Sequence, residues 1–242
     1  MESVITVNQL GKSFGKICAL NDVSFSIEKG KLVGLLGTNG AGKTTLIKIL
    51  TCLILPTCGD AKILGYDIVK EANIVKSLIG ISPQETSVAP LLSVRENIEF
   101  MCEIYGIKGE KLKNRTVELL SDFSLNSVAD RLSGKLSGGY QRRLSIAMAL
   151  VNEPKVLFLD EPTLGLDVIS RRTLWQDLRA LKGEITTILT THYLEEAEAL
   201  SDDIIILDNG NVKTKGTPKS IIESVGANNF EDAFIRVVGG VL

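Results

Sequence analysis

In Val23-Ser24-Phe25-Ser26-Ile27-Glu28, apolar and polar side chains alternate with a period of two. Successive strand residues point to opposite faces, so this alternation predicts a strand in an antiparallel sheet with one wet face. The first thirty residues read the same way. The pattern then changes. Residues 32–36 (LVGLL), 156–159 (VLFL) and 185–189 (ITTIL) are short, almost continuous apolar or β-branched runs. Strands of that composition are covered on both faces, as in a parallel sheet flanked by helices. Each run ends in polar residues: a glycine-rich loop, then Asp160-Glu161, then His192. Open α/β sheets bind ligands beyond the carboxyl ends of their strands, so three strands are expected to deliver chemistry to one edge.

Between the first two runs the period becomes helical, over roughly residues 86–153. Ser93-Val94-Arg95-Glu96 is a capping box, and Val94, Ile98, Met101 and Tyr105 follow at helical spacing. Leu112, Thr116, Leu119, Leu120 and Phe123 mark a second amphipathic helix, and a third is expected from about Gly138 to before Pro154. Near the end, Asn209-Gly210 between two β-rich runs predicts a tight hairpin. Thr217-Pro218 predicts a helix start, with threonine as cap and proline at the first helical position.

Composition narrows the class. The chain has 242 residues, 44% hydrophobic and 23% charged, enough for one large domain or two lobes sharing a core. A net charge of −2 gives no reason to expect nucleic acid as a partner. Mean hydropathy is +0.19, yet the longest apolar candidate, residues 46–56, is interrupted by Lys48 and Thr51. It falls well short of the roughly 20 residues a membrane span needs. The first ten residues carry neither a basic leader nor a hydrophobic run, so no signal peptide is read there and the cytosol is expected. Cys18, Cys52, Cys58 and Cys102 have no paired spacing and are read as small apolar residues, with neither metal nor disulfide.

The chemistry starts at Gly37-Thr38-Asn39-Gly40-Ala41-Gly42-Lys43-Thr44, followed by Thr45, which matches the phosphate-binding P-loop pattern G-x-x-x-x-G-K-[ST]. The glycines let backbone N–H groups turn inward toward phosphate oxygens, and the following helix adds the positive end of its dipole. Lys43 is expected on the β- and γ-phosphates of a nucleotide and the Thr44 hydroxyl on Mg²⁺. Asp160, at the end of the second buried strand, is placed to hold the Mg²⁺ shell, and Glu161 to polarise an attacking water.

P-loops serve many activities, so the fold alone does not fix this one. Leu136-Ser137-Gly138-Gly139, before Tyr140-Gln141-Arg142-Arg143 at a helix start, forms a second anion site of hydroxyl and glycine N–H groups. Here the sequence closely resembles the ATP-binding cassette (ABC) family, whose signature is LSGGQ. The resemblance runs over roughly residues 4–217, with the family's motifs in order. It implies an α/β fold: a P-loop core with a parallel sheet flanked by helices, an N-terminal antiparallel β subdomain and a helical subdomain carrying the signature. It also implies a head-to-tail dimer in which Ser137, Gly138 and Gly139 touch the γ-phosphate bound by a second cassette. By position, Phe14 matches the aromatic that stacks on adenine, and Gln84 the residue that reaches Mg²⁺ and the water. Asp167 matches the loop that couples the two sites, and His192 the switch histidine. Tyr140 stands where the usual signature has glutamine, which bears on packing beside the signature helix rather than on phosphate contact.

The resemblance therefore implies an ATPase with Glu161, His192, Gln84 and Lys43 as its catalytic set. One domain spans residues 1–242, with 86–153 as the helical insert and 218–242 as a short C-terminal helical extension. The interval between Lys43 and Asp160 leaves no space for the long coiled coil of chromosome or repair cassettes, and one cassette is present where translation-type members usually carry two. A transport ATPase on a separate integral membrane permease, peripheral on the inner face of the membrane, is favoured over a non-transport cassette acting on a soluble complex. Asn229-Phe230-Glu231-Asp232-Ala233-Phe234 looks like the ending of ABC-2-type exporter and drug-resistance cassettes, though Phe230 and Phe234 also suit a short helix packed on the body. Residues 87–97 are the expected docking surface.

Overall fold

The computed structural model describes residues 3–239. β1 (Ser3–Phe14) and β2 (Ile17–Glu28) form an antiparallel pair, and β3 (Leu32–Leu36) runs through a glycine loop into α1 (Lys43–Leu50). β4 (Cys58–Ile63) and β5 (Tyr66–Asp67) return to the first sheet, and α2 (Ala72–Leu78) leads into β6 (Ile79–Ser82). α3 (Val94–Ile104), α4 (Gly109–Asp122) and α5 (Gly138–Ala149) precede β7 (Val156–Asp160), α6 (Val168–Ala180) and β8 (Thr186–Thr190). α7 (Leu194–Leu200), β9 (Asp203–Asp208), β10 (Asn211–Gly216), α8 (Pro218–Ser224) and α9 (Phe230–Gly239) complete the described residues. Two residues at the start and residues 240–242 of the expected C-terminal extension lie outside them.

The strands form two sheets, ordered β2-β1-β4-β5 and β10-β9-β3-β8-β7-β6. In the second sheet β9, β3, β8, β7 and β6 are parallel and β10 alone runs antiparallel to its neighbour, β9. β7 shows why the buried strands read as unbroken apolar runs. Val156 and Phe158 face a core shared with α1 and the first sheet, while Leu157 and Leu159 face the core built by α3, α4, α5 and α6. Both faces of the central sheet are dry, so no polar alternation is possible there. The Asn209-Gly210 hairpin forms as expected, with φ of 48° and 73° at its two turn residues. Both are positive, as a tight primed turn requires.

The helical expectation over residues 86–153 is too broad. α4 and α5 are separated by two single 3₁₀ turns, at Asn126–Val128 and Ser133–Lys135, and residues 83–93 are irregular. The capping box at Ser93 is present: its hydroxyl accepts from the Glu96 N–H at 3.2 Å, and Glu96 accepts from the Ser93 N–H at 2.7 Å. Residues before it are held without helix by Asn97, which is fully buried. Its side-chain oxygen accepts from the Ala89 N–H at 2.8 Å, and its amide donates to the Ser93 carbonyl at 2.8 Å. Of the cysteines, Cys102 is buried in the helical core, whereas Cys18 and Cys58 are exposed, contrary to a purely apolar role. Among the described residues no helix is long and apolar enough to cross a membrane.

Asp177 on α6 is a packing defect with a pH signature. Its Oδ2 is buried without a hydrogen-bond partner, and burial pushes the carboxyl up to about 6, the charge of Arg143 on α5 opposing this. The folded chain therefore holds this proton more tightly than an unfolded carboxyl does, and stability falls as pH rises from about 4 to about 6. Asp177→Asn is expected to be more stable than the parent above pH 7, with the gain vanishing at pH 4. Urea unfolding across that range measures it; a gain independent of pH would assign it to packing instead.

Candidate active site

The P-loop follows β3 because the buried strand gives way to glycine. Gly42 caps α1 with φ of 105°, and a Cβ there would stand 2.6 Å from the Ala19 carbonyl oxygen and 2.7 Å from a Leu20 methyl. No side chain fits. The loop is seated on the β9–β10 turn: the Gly210 N–H donates to the Ala41 carbonyl at 3.0 Å, and the Thr38 hydroxyl to Asp208 Oδ1 at 3.4 Å. Lys43 is 8% exposed, and its ammonium donates to the carbonyls of Gly37 at 2.7 Å and Thr38 at 3.1 Å. Burial lowers its pKa, while the charges of Glu161 and Asp160 act in the other direction. Thr38, Asn39, Gly40 and Thr44 are exposed.

The acid pair ends β7. Glu161 has a left-handed backbone, with φ of 48°. That conformation is strained for a non-glycine residue. Its N–H is held by Thr190 at the end of β8, through the carbonyl at 3.1 Å and the hydroxyl oxygen at 3.0 Å. The same hydroxyl is 2.5 Å from Asp160 Oδ1, so one fully buried threonine fixes both acids. The Glu161 carboxylate points to His192, with Nδ1 3.2 Å from Oε2.

A cleft of about 750 Å³ collects these groups. Gly37, Thr38, Asn39, Gly40, Ala41, Gly42, Lys43, Thr44 and Thr45 form one side, and Gln84, Glu161 and His192 face them. Ala19, Leu194 and Phe234 of α9 complete the wall; Ala19 and Leu194 are marked by no motif, and Phe234 belongs to the exporter-like ending. Phe230 is buried in the body, and Phe234 packs against the same core cluster while also facing the cleft. Asp160 lies outside the wall, behind Glu161.

Other motif residues are elsewhere. Phe14 ends β1, half exposed and outside the cleft wall, with the Lys12 ammonium 4.9 Å from its ring centroid. Ser137 caps α5 from an exposed position, and its side chain makes no capping bond. Gly138 is exposed; Gly139 is buried, and a Cβ on it would stand 2.7 Å from the Ser170 hydroxyl. Asp167 caps α6, accepting from the N–H groups of Ile169 and Ser170 at 2.9 Å each, and these bonds lower its pKa. Tyr140 packs under the Arg143 guanidinium, 4.5 Å from ring to charge. Gln84 also borders a second cleft, about 370 Å³, shared with Gly138, Arg142 and Leu166.

A lysine-bearing phosphate loop facing a carboxylate and a histidine at the ends of parallel strands defines a P-loop nucleoside triphosphatase. The sequence profile of the family described as ABC transporter matches residues 20–164. The doxorubicin resistance ATP-binding protein DrrA of Mycobacterium tuberculosis is 42% identical over 98% of this chain and 71% of its own. The Nod factor export ATP-binding protein I of Rhizobium sp. (strain N33) is 40% identical over 88% of this chain and 70% of its own. A solved dimeric ATP-binding cassette in a post-hydrolysis state, bound to ADP and Pi, superposes with a TM-score of 0.78 at 29% identity, covering 88% of this chain and 98% of that one. The chain belongs to the ABC transporter family, as an ATP-binding and ATP-hydrolysing subunit of the transport-driving kind.

Proposed function

We propose that residues 1–242 form one ABC ATPase domain that hydrolyses ATP in a head-to-tail dimer and powers export through a separate membrane permease, on whose inner-face side it sits peripherally. One observation carries the dimer: the cleft unites the P-loop, Gln84, Glu161 and His192 but leaves Ser137 outside, exposed and with no capping bond. The signature is thus free to complete a second chain's site. In that assembly Ser137, Gly138 and Gly139 meet the partner's γ-phosphate, and Asp167 sits where the two sites exchange information. Phe14 offers the ring face away from Lys12 to adenine.

Among the described residues no group of three or more His, Cys, Asp or Glu side chains forms a metal cage. The donors present are the Thr44 hydroxyl, the Gln84 amide and the Asp160 carboxylate, hard oxygens that suit a Mg²⁺ shared with substrate phosphates. When bound, Mg²⁺ neutralises charge on those phosphates. Lys43 exchanges its loop carbonyls for the β- and γ-phosphates. Glu161 accepts the proton of, or orients, the attacking water, and His192, braced by Glu161 through Nδ1, contacts the γ-phosphate.

For the permease, α3, α5 and β6 frame an apolar cleft of about 420 Å³ lined by Ile81, Pro83, Ser87, Met101, Tyr105 and Met148. Leu91, 84% exposed, and Ile104, 60% exposed, also point out from this part of the chain. Apolar surface of this kind marks an interaction site; of the 87–97 segment it takes in Ser87 and Leu91, whereas Ser93, Val94 and Asn97 are buried. The test is a detergent-solubilised pull-down from the cells that express the chain, with Leu91→Asp as the comparison. A polytopic membrane protein in stoichiometric yield, reduced by Leu91→Asp, is expected. Recovery of a soluble complex with no membrane protein would overturn the transporter assignment of this surface.

A further inference from the structure

Arg142 on the signature helix is 5% exposed and belongs to no phosphate contact described above. Its Nη1 donates to the Pro83 carbonyl at 2.7 Å, and its Nη2 donates to the Gln84 carbonyl. Nε is buried without a partner. Burial lowers the pKa of the group, and the charge of Asp160 counters this. A guanidinium stays charged in proteins, so a buried one needs fixed acceptors. Here the acceptors are the backbone of the loop that carries Gln84.

The surroundings make this a stiff link. Ser82, just before the loop, is 3.1 Å from the Ser145 hydroxyl one turn further along α5. At Gly80 a Cβ would stand 2.2 Å from the Ala149 carbonyl oxygen, so β6 and α5 are in backbone contact. Ser137 begins the same helix, about 7.5 Å of axial rise before Arg142. A shift of the signature end of α5 therefore moves the Arg142 fork, and the fork moves the Gln84 backbone.

We infer that Arg142 is a positioning residue that sets Gln84 from the signature helix and thereby links the two nucleotide sites of the dimer. The inference rests on the proposed roles of Gln84 and the signature: Ser137 meets the nucleotide held by the partner, Gln84 the one held by its own P-loop. Arg142 bridges them within one chain. Lysine cannot replace it fully, because a single flexible ammonium lacks the fixed planar geometry with which two guanidinium nitrogens hold two carbonyls at set positions.

The experiment uses the full chain as Arg142→Lys, Arg142→Ala, Gln84→Ala and the Gln84→Ala double variants. Melting temperature, binding of a fluorescent ATP analogue without Mg²⁺ and steady-state kcat are read for each. Arg142→Lys is expected to melt close to the parent and bind the analogue within about twofold, yet to lose about tenfold or more in kcat, as a small misplacement of a positioned group does. Adding either Arg142 substitution to Gln84→Ala is expected to cause no further loss beyond that of Gln84→Ala alone. Parental kcat in Arg142→Lys overturns the inference, as does a double variant whose loss is the product of the single losses. A lowered melting temperature with unchanged kcat per folded molecule also overturns it, leaving Arg142 a stitch between α5 and β6. If Gln84→Ala alone keeps parental kcat, the proposed role of Gln84 fails, and the inference falls with it.

Discussion

Glu161→Gln is expected to lower steady-state turnover about 10²–10⁴-fold, the usual loss on removing a general base, while nucleotide still binds. That corresponds to roughly 3–5.5 kcal/mol of barrier. The substitution isolates the charge because it preserves the shape. The left-handed backbone of residue 161 is set by Thr190 through the main-chain N–H, which glutamine keeps. What changes is the oxygen 3.2 Å from His192 Nδ1, which loses its charge and its basicity. The variant should also accumulate as an ATP-dependent dimer, since the step that reopens the pair is slowed. Phosphate release at saturating ATP and size-exclusion chromatography with and without nucleotide measure the two effects. Turnover at the parental rate would remove Glu161 from the chemistry, and binding lost along with turnover would point to a collapsed strand end.

Lys43→Ala is expected to fail one step earlier, at binding. A hydrogen bond to a charged group is worth about 1.5–3 kcal/mol, so losing the lysine should weaken ATP about 10–100-fold. The carbonyls of Gly37 and Thr38 accept from the ammonium and must be exchanged for phosphate, which holds the gain within that range. Those carbonyls border an open cleft, so water can take over in the variant and the melting temperature should shift little. Calorimetric titration with ATP in the absence of Mg²⁺ reads the affinity directly. Unchanged affinity would show that backbone N–H groups alone carry the phosphates. An unfolded variant would instead assign Lys43 to the scaffold.

Local patterns in the sequence carried most of the fold. The alternation in β2, the doubly buried runs of β3, β7 and β8, the capping box at Ser93 and the Asn209-Gly210 turn each state their own conformation within a few residues. The P-loop is legible for the same reason, since its glycines answer a backbone requirement inside one loop. What escaped is contact between distant parts of the chain. Thr190 fixes Asp160 and Glu161 from 30 residues away, and Arg142 reaches Gln84 across 58. Each had a faint signal, a hydroxyl at the end of a buried strand and a doubled arginine on a largely buried helix. Phe234 packs on the body, as its helical spacing from Phe230 suggests, and also joins the cleft wall, which that spacing does not reveal. Phe14, matched to the adenine aromatic, ends β1 outside the cleft wall. The irregular stretch before α3 was read as helical because Asn97 satisfies its backbone from outside, which no period reveals.

β3 is flanked on both sides by strands from the last quarter of the chain, β8 and β9, and its phosphate loop leans on the turn that follows β9. A ribosome therefore finishes the strand and loop that receive ATP well before it makes anything for them to rest on. At about 5–20 residues per second that gap lasts roughly ten to thirty seconds, during which both edges of a fully apolar strand have no partner. For this interval the nascent chain is a client for holding factors rather than for nucleotide. ATP can stabilise the cassette only after synthesis has passed the β9–β10 turn, so the ligand acts as a check on the completed subunit and gives no help to a partial one.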